Sequence, residues 1–142
     1  MAGTATAVVS GQELVRLVSV LAKGLGLEVR LEYQVGRRIW GAVRRIDVVI
    51  THPQTRKTLG VECKYQGVTG SAEEKIPSTI QDIAAWPIPG IVVFAGEGFS
   101  ANMRSFLLAS GKAVDLDDVR PWFCLFFGLL DAPAGPADAG SA

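Results

Sequence analysis

Apolar and polar residues in the first half of the chain repeat first with a helical period and then with a strand period. Between Gly11 and Lys23 the apolar side chains recur every third or fourth position, which predicts an amphipathic helix. Residues 27–35, 43–51 and 58–66 instead alternate between apolar and polar side chains, as half-buried strands do. Because the segments between these strands are short, we expect an antiparallel meander.

The second half of the chain combines helical segments with one continuous apolar run. Ser71 and Glu74 are spaced as a capping box, whereas Pro77 favours a helix that begins at the proline itself. The run at 89–96 predicts a strand covered on both faces, and 100–111 predicts another helix. This order of elements favours an α/β fold with a mixed central sheet flanked by helices.

The ends of the chain bear on domain organisation and location. Residues 1–130 are expected to form a single domain, followed by a disordered low-complexity tail at 131–142. The apolar segment 121–130 is too short to cross a membrane, and it fits either the core or a seam between two copies. The first residues lack the features of a secretion signal, so we expect a cytoplasmic protein, or host-cytoplasmic if phage-encoded.

Charge is unevenly distributed along a chain whose net charge is zero. The stretch from residue 37 to residue 64 has only two acids, and from residue 67 onward four bases stand against nine acids. Such a basic sector suits nucleic acid, although arginines also decorate solvated hairpin turns. The basic residues of the first stretch are Arg37, Arg38, Arg44, Arg45, Arg56, Lys57 and Lys64.

Cysteine and histidine are too scarce to suggest zinc or histidine chemistry. Cys63 and Cys124 stand among apolar residues, and the chain has no CxxC or Cys/His cluster. Both are therefore expected to be buried free thiols rather than zinc ligands. His52 is the only histidine, and its neighbours predict a turn residue at the end of a strand.

Three charged residues fall on the polar faces of two neighbouring predicted strands. Asp47 lies on the second strand, while Glu62 and Lys64 lie two residues apart on the third and therefore share a face. Two neighbouring carboxylates repel unless a cation or proton lies between them, and Mg²⁺ prefers such oxygen ligands. The apolar residues expected on the opposite faces are Ile46, Val48 and Ile50, and Leu59, Val61, Cys63 and Tyr65.

The spacing of Asp47 from the Glu62-x-Lys64 triplet resembles the signature of the PD-(D/E)xK nucleases. An acid on a preceding helix, here Glu13, often joins that site in the superfamily. Across residues 10–110 the layout is most similar to the archaeal-type Holliday-junction resolvases, which phages also encode.

Two departures from the signature are visible in the sequence. Ile46 stands where the motif name has proline, which leaves the aspartate chemistry intact. Segment 70–83 has no counterpart that we place in the resolvases, and it looks more like a segment of restriction-like members of the superfamily.

The resemblance implies a restriction-endonuclease-like core and a homodimeric, Mg²⁺-dependent endonuclease that cuts branched DNA, with Mn²⁺ as a substitute ion. It implies Asp47, Glu62 and Glu13 as metal ligands and Lys64 as the residue that orients water and offsets phosphate charge. Two alternatives stay open: another nuclease of this fold that cuts linear duplex or single strands, and a non-catalytic nucleic-acid-binding module. The residues expected to contact DNA phosphates are Arg37, Arg38, Arg44, Arg45 and Lys75.

Overall fold

The computed structural model describes residues 10–37, 43–67 and 76–129, which form a five-stranded sheet with helices on both faces. This arrangement confirms the predicted mixed α/β fold. The tail predicted at 131–142 lies outside the described residues. The elements are α1 Gly11–Gly24, β1 Glu28–Arg37, β2 Val43–Thr51, β3 Thr58–Tyr65, α2 Ile76–Ala84, β4 Gly90–Ala95, α3 Ala101–Ala109, β5 Ala113–Asp115, a 3₁₀ turn Leu116–Asp118 and α4 Val119–Phe127.

The strands lie side by side in chain order, β1-β2-β3-β4-β5. β1, β2 and β3 pair antiparallel, which confirms the predicted meander, and β4 and β5 then add in parallel. The strand β3 is therefore central, with an antiparallel neighbour on one side and a parallel one on the other. No helix in the described part of the chain is long and apolar enough to cross a bilayer.

One face of the sheet is covered by α1 and α4. Ser10 caps α1 by accepting the Glu13 backbone N–H at 3.1 Å, and Leu14 lies fully buried one residue later. The helix α4 was not predicted, since its run of apolar residues has no clear period. Phe123 and Phe127 are buried in the core, whereas Leu125 is exposed. The last predicted apolar segment thus contributes mainly to the core.

The opposite face is covered by α2 and α3. Ile76 begins α2 and is fully buried, and Pro77 occupies its first turn, as the sequence predicts. Val92 and Phe94 of β4 point to this face, and both are buried. Since every residue of β4 is buried, the prediction of a strand covered on both faces is confirmed.

The strand β2 changes its facing direction at the predicted acidic residue, Asp47. Val48 and Ile50 pack under α1, but Ile46 packs in the cluster on the opposite face, so the prediction of one shared face is wrong for Ile46. Two irregularities account for the change. The β2–β3 register ends at the pair Val48↔Val61, and Glu32 on β1, across from this point, has a φ of 50°.

Candidate functional site

The site is built where β2 and β3 separate. Beyond the pair Val48↔Val61, the next backbone donor of β3 toward β2 is the Cys63 N–H. It donates at 3.0 Å to Oδ2 of Asp47 instead of to a backbone carbonyl. The Asp47 carboxylate is therefore held in the gap between the two strands by a charge-assisted hydrogen bond.

Glu62 and Lys64 extend from the central strand beside this gap. Lys64 Nζ lies 3.8 Å from Glu62 Oε2, and the two side chains are only 25% and 20% exposed. The other oxygen, Oε1 of Glu62, is buried and has no hydrogen-bond partner among the described residues. A buried carboxylate oxygen without a partner is costly, so a proton or a cation is needed to stabilise it.

The electrostatic environment of Glu62 favours the same interpretation. Burial is the largest effect, and together with the nearby Asp47 carboxylate it raises the pKa of Glu62 to about 7. The Lys64 ammonium and the Asp47 backbone N–H oppose that rise, while Asp82 adds to it. At neutral pH Glu62 is therefore close to half-protonated, and a cation can take the place of that proton.

The oxygen donors at this site suit a hard divalent cation. Mg²⁺ is commonly held by one or two carboxylates, with water and substrate oxygens in its remaining positions. Asp47 and Glu62 provide such a pair, and no group of three His, Cys, Asp or Glu residues within 10–37, 43–67 and 76–129 is arranged to hold a metal ion. Burial raises the pKa of the adjacent Cys63 thiol well above its usual range, which disfavours a thiolate ligand.

Glu13 lies apart from this pair. Its carboxylate accepts two hydrogen bonds from the Arg16 guanidinium, at 3.2 and 2.5 Å, which lower the pKa of Glu13. The groove between α1 and β1 is lined by Gln12, Arg16 and Asp47, and Glu13 is not among its described lining residues. The structure therefore does not bring Glu13 together with Asp47 and Glu62, and its role as a metal ligand stays a prediction.

The predicted DNA-contacting residues fall into three groups. Arg45 is exposed and borders the same cleft as Glu62 and Lys64. Arg37 and Arg44 lie on the paired ends of β1 and β2. Arg38 and Lys75 lie outside the described residues.

The wall that α2 builds over the site was not among the sequence-based predictions. A cleft of about 190 Å³ separates this wall from β3. A periodic signal is present in the sequence, because positions 78, 82 and 86 recur at intervals of four, but the prediction centred on the strand acids. The residues that line the cleft are Arg45, Glu62, Lys64, Ser78, Thr79, Asp82 and Trp86.

Trp86 is fixed against the sheet by two glycines. Gly60 and Gly90 pair with each other across β3 and β4, and the indole lies over both of them. A Cβ atom would lie 2.7 Å from the ring at Gly60 and 2.4 Å from it at Gly90. Only glycines therefore allow the indole this close to the strand that carries Glu62.

Two other polar residues have structural roles. Gln66 is buried at the end of β3, where its Nε2 donates to the Gly98 carbonyl at 2.9 Å. His52 lies in the turn after β2, and its Nδ1 accepts the backbone N–H groups of Gln54 and Thr55. Neither of them lines the cleft beside Glu62 and Lys64 among the described residues.

Comparisons with known proteins agree with this geometry. A family model described as a PD-(D/E)XK nuclease superfamily domain matches residues 5–120. A crystal structure described as a protein of unknown function, AF1548, is similar with a TM-score of 0.50 at 16% sequence identity, which concerns the fold alone. That alignment covers 71% of this chain and 55% of the other, so the chain spans about half of the longer structure. A search of curated proteins gave no match.

Proposed function

This chain belongs to the PD-(D/E)XK nuclease superfamily, and we propose that it is a divalent-cation-dependent endonuclease that hydrolyses DNA phosphodiester bonds. One observation carries the proposal. The Asp47 carboxylate is fixed by the Cys63 N–H beside Glu62, whose Oε1 is buried without a partner among the described residues. Nucleases of this superfamily typically use divalent metal ions. Asp47 and Glu62 would hold that ion.

Asp47, Glu62 and Lys64 have different roles in the proposed hydrolysis. When bound, a divalent cation lowers the pKa of water and polarises phosphate oxygens. Asp47 and Glu62 fix where that charge sits, because one is hydrogen-bonded to the backbone and the other is largely buried. Lys64 orients the attacking water and offsets the negative charge that develops on the phosphate. The water oxygen bonds to phosphorus and gives up a proton, the bond to the leaving oxygen breaks, and that oxygen takes up a proton, so that a phosphate monoester and a hydroxyl result.

The substrate backbone is held by positive charge next to the site. Arg45 borders the cleft that Glu62 and Lys64 line, so it is placed to contact a phosphate near the scissile one. Arg37 and Arg44, on the paired strand ends of β1 and β2, belong to the same basic sector of the sequence. Contacts of this kind do not read sequence, and the resulting affinity falls steeply with salt concentration.

The finer proposal is that the substrate is a four-way DNA junction and that the enzyme is a homodimer. Its support is the resemblance of the sequence layout across residues 10–110 to the archaeal-type junction resolvases. A junction contains two symmetric scissile bonds, and a twofold dimer would present two matching sites to them. Magnesium is the proposed ion because the site offers carboxylate oxygens.

A substrate panel tests this function. The protein is incubated with Mg²⁺ and end-labelled DNA as a mobile four-way junction, a matching linear duplex or a single strand. Paired symmetric cuts near the crossover are expected. Preferential cutting of the duplex or the single strand would replace the junction proposal with another nuclease activity. If the wild type bound DNA but cleaved no substrate more than the Lys64→Ala control does, the nuclease proposal itself would be contradicted.

A further inference from the structure

The side chains of α2 and of the turn after it match the spacing of the site residues on β3. Ser78 and Asp82 are four residues apart and share one face of α2, where such positions repeat about every 6 Å, and Trp86 follows at the same interval in the turn after the helix. On β3, residues 64, 62 and 60 share one strand face and repeat about every 6.6 Å. The row of side chains on the helix and the row on the strand can therefore lie opposite one another, because their spacings are nearly equal.

The contact between Trp86 and Gly60 fixes the register of these rows. Since the indole lies over Gly60, the residue one turn earlier, Asp82, comes opposite Glu62. Ser78 follows beside Lys64 at the far end of the cleft. Two independent features agree with this register: Asp82 lines the same cleft as Glu62, and its negative charge acts on the Glu62 carboxyl.

Two acids and two bases line the cleft among the described residues, namely Glu62 and Asp82 against Arg45 and Lys64. Asp47 borders the groove beside α1 instead, and the charges of both Asp47 and Asp82 act on the Glu62 carboxyl. Asp82 does not complete a three-ligand metal cluster with the other two carboxylates in the described part of the chain. The negative charge of Asp82 can still act on an ion held by Asp47 and Glu62 from beside the direct ligands.

We propose that Asp82 is a positioning residue of this site, whose carboxylate strengthens cation binding by Asp47 and Glu62 without ligating the ion. The inference rests on the proposed function, because it assigns Asp82 to the cation that this function requires. Carboxylates beside a bound ion attract it electrostatically and accept hydrogen bonds from its water ligands. Removing such outer partners typically costs about 10-fold to 100-fold in metal affinity or activity.

This proposal places the third acid of the site on α2, after the Glu62-x-Lys64 triplet, rather than on α1. Glu13 is paired with Arg16 at 2.5 Å. Asp82 is partly buried to a similar degree, but it lines the cleft beside Glu62. Substitution of Asp82 is therefore expected to weaken cation binding, whereas substitution of Glu13 is not. Both effects can be measured on the same protein.

The test measures Mn²⁺ binding to the metal-free protein by titration calorimetry, with free Mn²⁺ checked by electron paramagnetic resonance. Asp82→Asn is expected to weaken Mn²⁺ binding about 10-fold or more, while Asp82→Glu retains most of the affinity because it keeps the charge. Asp118→Asn is the matched control, since Asp118 is exposed and makes no side-chain capping bond in α4. It removes the same charge away from the cleft and should leave Mn²⁺ affinity unchanged.

A second readout separates positioning from a merely structural role. Saturating Mn²⁺ should restore the single-turnover cleavage rate of Asp82→Asn to near the wild-type value, because the defect is one of affinity. Circular dichroism and the urea midpoint report whether the variant is folded. Wild-type Mn²⁺ affinity in folded Asp82→Asn, while Glu62→Gln loses binding, would overturn the role of Asp82 and leave the nuclease proposal standing. Absence of Mn²⁺ binding and of DNA cleavage in the wild type would overturn both.

Discussion

The Asp47 carboxylate takes the place of a backbone carbonyl, since its Oδ2 accepts the Cys63 N–H at 3.0 Å where β2 and β3 separate. The same contact serves the fold and the chemistry. It satisfies a backbone donor that the ended ladder would leave without a partner, and it points a negative charge at Glu62. Substitutions of Asp47 can separate these two roles.

Asp47→Asn and Asp47→Ala should differ in stability but not in activity. The asparagine amide oxygen can still accept the Cys63 N–H, so Asp47→Asn should stay within about 1 kcal/mol of the wild type. Alanine leaves that N–H without its partner, and Asp47→Ala should lose about 1–3 kcal/mol of unfolding free energy. Both should abolish cation-dependent cleavage. Urea unfolding and a cleavage assay measure the two effects, and equal stability of the two variants would contradict the structural role.

The raised pKa of Glu62 predicts a pH dependence of stability in the metal-free protein. Between its ordinary value of 4.5 and about 7, Glu62 holds a proton in the folded state that the unfolded chain has lost. The folded state therefore binds more protons, and the free energy of unfolding falls as pH rises through this window. The fall attributable to Glu62 is at most about 3 kcal/mol.

Urea unfolding in EDTA from pH 4.5 to pH 8 measures this dependence, with Glu62→Gln as the comparison. The wild type should lose stability relative to Glu62→Gln as pH rises, because glutamine cannot ionise. Excess Mg²⁺ should reduce the difference, since the ion favours the ionised carboxylate. A constant stability difference across the whole pH range would contradict the assigned pKa.

Gly90→Ala tests the close contact between the Trp86 indole and the glycine beneath it on β4. The added Cβ would lie 2.4 Å from the indole and 2.9 Å from Ile83, so the wall over Glu62 must shift. We expect a loss of about 1–3 kcal/mol in unfolding free energy and a change in tryptophan fluorescence. Gly24→Ala at the end of α1 is the matched control, because no atom lies within 4 Å of its added Cβ. An unshifted urea midpoint in Gly90→Ala would contradict the close contact.

Glu13→Gln tests whether the acid of α1 belongs to the site. Since Glu13 pairs with Arg16 and lies outside the lining of the groove that Asp47 borders, the variant should bind Mn²⁺ within about twofold of the wild type. Calorimetric titration of the metal-free protein measures this affinity. A loss comparable to that of Glu62→Gln would show that Glu13 is a ligand, as the family resemblance implies.

Much of the fold is predictable because strand and helix periods are written directly in the chain. Residues 43–51 and 58–66 are strand-like in pattern, and the antiparallel pairing expected of them is enough to bring Asp47 near Glu62. The failure at Ile46 has a local cause. Strict alternation of side chains assumes an unbroken ladder of paired residues. The β2–β3 register instead ends at Val48, and Ile46 before it faces the opposite side of the sheet from the one that alternation predicts.

The rest of the site depends on contacts that no local pattern reveals. The place of Asp82 opposite Glu62 follows from Trp86 lying on Gly60 and Gly90, which are thirty residues apart in the chain. A glycine in a strand signals a close approach but does not identify the residue that approaches. The place of Glu13 depends on a local contact instead. Its carboxylate on α1 is paired with the nearby Arg16.

The assignment of Asp47, Glu62 and Lys64 as a hydrolytic site is tested most directly by single-turnover cleavage in Mg²⁺. Wild type, Asp47→Asn, Glu62→Gln and Lys64→Ala are compared on the substrate that the wild type cuts best, with DNA binding measured in parallel. The wild type should cleave only when Mg²⁺ or Mn²⁺ is present. Each variant should bind DNA nearly as well as the wild type but cleave at least about 100-fold more slowly. Cleavage at the wild-type rate by folded Glu62→Gln or Lys64→Ala would contradict the assignment.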